Sequence, residues 1–330
     1  MRILVIGGSG FVGTVLTRSF AAAGHKITVL SRGQRNMPDG VETIIGDRKD
    51  HAAFKTLVAD HSFDAVFDCL CYNAEDAQSD VEAFAGRIQQ LFFLSTDFVY
   101  GGDDDVVIRT EDYPRQAYNS YGQNKAAAED VFVHAWQQQQ FPSTILRAPH
   151  ILGAGRPLGT GSLKNRDATL LDAIRKGVPI VVLDDGALLI QPATHHDIAN
   201  ATLAAFGKQQ TLGQAYNMMG NDVVTSRRYY EIAGQIIGCE PRFLSLPTSV
   251  YLQAAPTRRP FAQHRIYDIS KLKRDADYDP KWTVRAGIED TIKALEATDG
   301  ASQSYEPTEL DAALQHALET HSGDLLKILG

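Results

Sequence analysis

Short, unbroken apolar runs alternate with longer helix-like stretches through the first half of the chain. Arg2–Ile6, Lys26–Leu30, Val41–Ile45, Ala65–Cys69, Gln90–Ser95 and Ser143–Arg147 read as strands, with helices over Val12–Ala23, His51–Ala59 and Asn119–Gln140. A strand that is apolar throughout, rather than at every second residue, is buried on both faces, and this predicts a parallel sheet covered by helices. The expected fold class is α/β, a doubly wound parallel sheet.

Past Gly153 the pattern breaks up. Gly, Pro and Arg punctuate Gly153–Gly161 as a loop. Asp167–Lys176, Thr194–Phe206, Ser226–Ile237, Asp268–Lys273 and Arg285–Leu295 read as helices, with strands at Ile180–Leu183 and Ala215–Met218. Residues 1–155 are expected to form a nucleotide-binding domain, with sheet elements returning near 187–215. Residues 156–297 are expected to form a smaller, interleaved substrate lobe. Residues 298–330 are a tail, polar over Asp299–Pro307 and then weakly amphipathic through Leu310, Leu314 and Leu318. That tail reads as a docked helix or a subunit contact, and a homodimer is one assembly open to the chain.

Composition narrows the classes. With 330 residues and 44% hydrophobic positions, the chain can bury a large core. Its net charge of −8 argues against a nucleic-acid binder that works by bulk charge. No apolar run reaches the roughly 20 residues needed to span a bilayer. Cys69, Cys71 and Cys239 give neither a disulfide framework nor a zinc spacing, and a reducing cytoplasm is the expected setting.

The first strand runs into Gly7-Gly8-Ser9-Gly10-Phe11-Val12-Gly13 and then a helix. Glycines at 7, 10 and 13 suit a tight turn, the close approach of a pyrophosphate and the packing of helix on strand. The helix N-terminus offers N–H groups and a positive dipole end to phosphate. In this context the motif predicts a Rossmann dinucleotide site built from Gly7, Ser9, Gly10, Phe11, Val12 and Gly13, against the alternative of an ordinary tight turn. The second strand ends in Ser31-Arg32, with Arg35 close by. An acidic residue there would favour NAD and an arginine accommodates a 2′-phosphate, so NADP is expected, with NAD also open. Asp47 and Arg48, after the third strand, are placed to meet the adenine ring or to form a simple turn.

The strand at Leu91–Ser95 leads into Thr96-Asp97-Phe98-Val99-Tyr100-Gly101. Tyr121 and Lys125, four apart, share one helical face. An ammonium beside a phenol lowers its pKa, which makes Tyr121 a candidate proton donor and acceptor for a carbonyl/alcohol pair. Thr96 can hydrogen-bond the same oxygen.

On these motifs the chain resembles an extended or atypical short-chain dehydrogenase/reductase of the NAD-dependent epimerase/dehydratase family. Further matches are Tyr121-Gly122-x-x-Lys125-x-x-x-Glu129, Arg147-Ala148-Pro149-His150-Ile151-Leu152-Gly153, and more loosely Asp268-Ile269-Ser270-Lys271 and Pro280-x-Trp282. The resemblance covers roughly 1–297. It implies a nicotinamide cofactor, a Thr96/Tyr121/Lys125 triad, cofactor contacts at Leu70 and Pro149, and, at His150, a substrate contact, against the alternative of a satisfied structural histidine. It further implies a sugar or sugar-nucleotide substrate handled by an oxidoreductase or epimerase. Phe98 replaces the glutamate of the family's dehydratases, and Thr-Asp-aromatic-Val resembles its 4-keto sugar reductases. Phe67–Asn73 departs from the usual His-x-Ala-Ala and, with Arg259–Tyr267, resembles a branch that includes chloroplast stem-loop RNA-binding proteins. A non-catalytic nucleotide-sensing or RNA-binding scaffold is therefore the alternative.

Asp97 reads as an active-site acid and substrate contact or as a cap of the next turn. Arg258 and Arg259 read as a clamp for a substrate diphosphate or as solvated loop cations. His195-His196-Asp197 sits at a helix start, so Asp197 reads as a first-turn residue and no metal is expected. Cys69 and Cys71 read as packing residues, and Asp103–Asp105 as a solvated loop.

Overall fold

The computed structural model describes residues 1–35, 37–101, 106–160, 166–297, 303–309, 312, 316 and 320. Asp103–Asp105 and the tail positions Leu310, Leu314 and Leu318 lie outside them. The chain divides into two compact units. The first comprises Met1–Gly153, Gln191–Val223 and Arg265–Val284, and the second Ala154–Ile190, Val224–His264 and Arg285–Gly330.

The first unit is built on seven parallel strands: β1 (Arg2–Ile6), β2 (Lys26–Ser31), β3 (Glu42–Ile45), β4 (Ala65–Asp68), β5 (Gln90–Thr96), β6 (Ser143–Ala148) and β7 (Gln214–Asn217). Their order is β7-β6-β5-β4-β1-β2-β3, so the chain reverses direction across the sheet beside β1. Continuous apolar strands serve both faces. Ile3 and Val5 of β1 join one buried cluster with Leu16 and Phe20, while Leu4 and Ile6 join the other with Phe54, Phe84 and Phe132.

Helices α1 (Phe11–Ala22), α2 (His51–Ala59), α3 (Ala74–Phe84), α4 (Ser120–Gln139), α5 (His195–Ala205) and α6 (Ser270–Ala276) cover the sheet. Side-chain caps start four of them. Asp50, Asn73, Asn119 and Thr194 accept from Ala53, Asp76, Gly122 and Asp197 N–H groups. Within α5, Asp197 lies in the first turn and accepts from the Tyr278 hydroxyl and from the Lys281 and Trp282 N–H groups, while the His196 ring stacks on Trp282.

In the second unit Phe243–Leu246 pairs parallel with Ile180–Leu183, and a helix over Ser226–Ile237 ends at Gly238 with φ 71°. The helix expected over Asp167–Lys176 is confined to Leu170–Arg175. Helix α3 has no signature in the apolar pattern of the sequence. Its buried face carries Asp76, Ser79 and Asp80 as well as Ala77 and Val81, so it shows no apolar stripe.

Candidate active site

The glycine turn joins β1 to α1. Gly7 has φ +80°, and a Cβ there would lie 2.7 Å from the Leu70 side chain. A Cβ on Gly13 would lie 2.2 Å from the Gly7 carbonyl oxygen, so only glycine lets α1 approach the strand this closely. Gly10 caps α1 with no side chain, leaving the first-turn N–H groups to a ligand. The cradle therefore fits a dinucleotide pyrophosphate. Val12 is buried in the core and offers only its backbone, while the Phe11 ring packs 5.3 Å from His195.

At the edge of this cradle the arginines divide. Ser31 is buried and accepts from Gly33 N–H, and Arg32 is exposed. It is Arg35 that reaches the turn, donating to the Ser9 carbonyl at 2.8 Å. Asp47 is exposed and accepts from Lys49 N–H. Arg48 departs from expectation. Its guanidinium is buried, with ion pairs to Asp68 at 3.1 Å and Asp80 at 2.8 Å, and lies over Phe54. The side chain cannot meet an adenine ring because those carboxylates, fixed at the end of β4 and inside α3, hold it in the interior. Burial beside Asp68 pushes the Asp80 carboxyl well above the usual range.

The second part of the site forms where β5 ends. Thr96 is buried, and its hydroxyl accepts from Phe98 N–H in a short turn over Asp97–Val99. The start of α4 comes down on that turn. A Cβ on Gly122 would lie 2.1 Å from the Phe98 carbonyl oxygen, which explains the glycine after Tyr121. This approach brings the Tyr121 phenol close to the Thr96 hydroxyl. Tyr121 keeps 43% of its surface exposed and sets its ring edge-on to Phe98.

Its phenol is not activated as expected. Desolvation, with Tyr72 and Asp97 nearby, pushes it up to about 12, against the pull of Thr96. Lys125 does not lower it because the ammonium points elsewhere. Nζ donates to the Cys71 carbonyl at 2.6 Å and the Leu94 carbonyl at 2.8 Å, between the rings of Tyr72 and Phe93. Burial lowers its own pKa.

Asp97 likewise differs from a free acid. Its carboxylate is buried and accepts from Arg265 Nε at 2.8 Å and from the Tyr267 hydroxyl at 3.0 Å, with Arg265 Nη2 at 2.6 Å. It anchors the turn that carries Thr96. One helical turn beyond Lys125, Glu129 accepts from Ser95 at 2.6 Å and pairs with Arg147 at 2.7 Å, pinning α4 to β5 and β6. Arg265 and Tyr267, about 170 positions from Asp97, carried no local signal of this role.

Leu70 packs over Gly7, Pro149 is half-buried after β6, and His150 is buried with its carbonyl accepting from Ala193 N–H. Arg258 and Arg259 lie in the second unit, where Arg258 donates to the Tyr251 hydroxyl at 2.8 Å. The three cysteines are free thiols, with Cys71 buried and Cys69 half-buried. Among the described residues no helix is long and apolar enough to cross a membrane.

Comparison with known proteins identifies the family and the fold. The profile of the NAD dependent epimerase/dehydratase family matches residues 3–219. The 2'-dehydrokanamycin reductase of Streptomyces kanamyceticus is 28% identical over 294 residues, 87% of this chain and 81% of that protein. The dTDP-4-dehydrorhamnose reductase of Streptomyces griseus is 27% identical over 314 residues, covering 89% and 94%. The chloroplast stem-loop binding protein of 41 kDa b of Arabidopsis thaliana is 24% identical over 307 residues, covering 88% and 78%. Among solved structures, an epimerase from Methanothermobacter thermautotrophicus superposes with a TM-score of 0.75 at 19% identity, over 90% of this chain and 92% of that one. The chain is an enzyme of the short-chain dehydrogenase/reductase type and belongs to the NAD dependent epimerase/dehydratase family.

Proposed function

We propose that this chain is a cytoplasmic oxidoreductase that reduces the ketone, or oxidises the hydroxyl, of a sugar or sugar nucleotide, with NADP(H) preferred over NAD(H). The observation that carries the reading is the placement of Tyr121 at the start of α4, against the Asp97–Val99 turn that follows Thr96 at the carboxyl end of β5, with Lys125 one helical turn away. A bound nicotinamide supplies the hydride acceptor and donor. With its pKa raised to about 12, Tyr121 is a neutral phenol at neutral pH and stands ready to donate a proton to a substrate oxygen. Thr96 orients that oxygen, and Lys125 holds the nicotinamide ribose. Asp97, through Arg265 and Tyr267, fixes the turn on which Thr96 sits.

The reductase direction draws support from the two long relatives named as reductases and from Phe98, which stands where a dehydratase acid is expected. For NADP, the support is an open cavity of about 430 Å³ beside the glycine turn, lined by Ser9, Arg18 and Arg35 among others. Two guanidiniums suit a phosphate.

The test is the nicotinamide absorbance during incubation with NADPH and a panel of 4-keto sugar nucleotides. Stoichiometric loss of NADPH supports a reductase. Product with inverted stereochemistry and no net absorbance change points to an epimerase instead. The scaffold reading rests on the stem-loop binding relative. It gains if no substrate turns over and a stem-loop RNA binds.

A further inference from the structure

The two carbonyls that hold the Lys125 ammonium are anchored differently. Leu94, whose carbonyl accepts at 2.8 Å, belongs to β5 and is paired with Leu146 across the sheet. Cys71, whose carbonyl accepts at 2.6 Å, belongs to the loop 69–73 between β4 and α3. An ammonium carries three N–H groups, so fixing two of them sets the direction of the third. One of the two is fixed by the sheet, and the other is only as firm as the loop.

What holds the loop is a buried cation. Asp68, the last residue of β4, uses both carboxylate oxygens. Its Oδ1 accepts from Leu70 N–H at 2.5 Å and its Oδ2 from Arg48 Nε at 3.1 Å. At the other end of the loop, Arg48 Nη2 donates to the Asp76 carbonyl in the first turn of α3 and pairs with Asp80 at 2.8 Å. The Asp76 carboxylate accepts from Tyr72 N–H at 2.8 Å. One guanidinium thus ties both ends of a loop whose middle residue holds Lys125. Charge works in the same direction. Burial lowers the Lys125 pKa, and Asp68 and Asp76 are among the groups that oppose it.

We propose that Arg48 and Asp68 are positioning residues for Lys125: through the Leu70 N–H they fix the Cys71 carbonyl, and that carbonyl aims the ammonium at the ribose of a nicotinamide cofactor. This rests on the reading of Lys125 as the ribose-binding residue. Both side chains are buried and act through the loop.

Titration of the folded full chain with NADPH, followed by the fluorescence of the cofactor, tests this without any substrate. Lys125→Met is expected to weaken binding about tenfold. Asp68→Asn, whose amide can accept from only one of the two donors, is expected to weaken it about fivefold. In the Lys125→Met background the same change should stay within about twofold, because its effect passes through the ammonium. A merely structural Asp68 would lower stability without this coupling. Equal weakening in both backgrounds, or none in either, overturns the proposal. Arg48→Gln is the second variant. By charge alone, losing a cation favours the ammonium, so weaker binding is expected only if the carbonyl must be held. Tighter or unchanged binding in Arg48→Gln overturns the positioning, even where Asp68→Asn does not fold. Asp80→Asn, which alters Arg48's partner within α3 and leaves Leu70 N–H on Asp68, should stay within about twofold. A loss as large as that of Asp68→Asn would overturn the route through Leu70. If Lys125→Met weakens binding while Asp68→Asn and Arg48→Gln do not, the positioning fails and the ribose role stands. If Lys125→Met leaves binding unchanged, the ribose role itself fails, and the positioning with it.

Discussion

The glycine turn and the Thr96 corner solve the same problem by opposite means. Both must hold a few groups still at the carboxyl end of a parallel strand. The turn does it by leaving side chains out. Gly7, Gly10 and Gly13 bring backbone to within contact of backbone, and all the parts come from one stretch of seven residues. The corner does it by burying charge. Asp97 is locked by Arg265 and Tyr267, and Glu129 is locked by Arg147 and Ser95, with partners drawn from four separate segments. A contiguous motif is robust to change elsewhere but admits no side chain. A dispersed charge network tolerates local change but fails when any one member is removed.

That contrast can be broken, and the largest effect is expected at the corner. Arg265→Met leaves the Asp97 carboxylate buried without its cation, which should cost about 3–5 kcal/mol of folding stability. Denaturant unfolding checks it, and a loss below about 1 kcal/mol would show that the pair contributes little. Gly13→Ala forces a Cβ into the Gly7 carbonyl. It should cost about 1–3 kcal/mol and reduce NADPH binding at the same time, because the turn must open to accept the methyl. Loss of stability with cofactor binding intact would separate the turn from the nucleotide. Arg35→Ala is expected to weaken NADPH about tenfold, close to 1.4 kcal/mol, while leaving NADH within about twofold. Equal loss for both cofactors would end its role in reading a 2′-phosphate.

A further effect comes from pH. Burial pushes the phenols of Tyr100, Tyr229 and Tyr267 upward. The unfolded chain gives up these protons near pH 10, while the folded protein keeps them. Their stabilisation is therefore full below about pH 10 and is lost as pH rises above it. A stability profile that stayed flat between pH 9 and 12 would contradict this.

The same contrast explains what the chain reveals in advance. Strands β1, β2 and β5 and the glycine turn are legible because each is signalled by residues adjacent in sequence. Helix α3 is not, since its buried face is built from Asp76 and Asp80, whose burial makes sense only with Arg48 delivered from beyond β3. Arg48 looks like a surface cation for the same reason. Asp97 looks like a free acid until Arg265 arrives from the far end of the chain. Tyr121 and Lys125 share a helix as their spacing predicts, yet spacing does not say where an ammonium points. The carbonyl of Cys71, 54 positions earlier, decides that.

The central claim is that Tyr121 moves the proton. Its most direct test is turnover of a 4-keto sugar nucleotide by Tyr121→Phe, with NADPH binding measured alongside. The account predicts that kcat falls about 10²- to 10⁴-fold while the cofactor binds as in wild type. A phenylalanine enzyme with kcat within about threefold of wild type would contradict it.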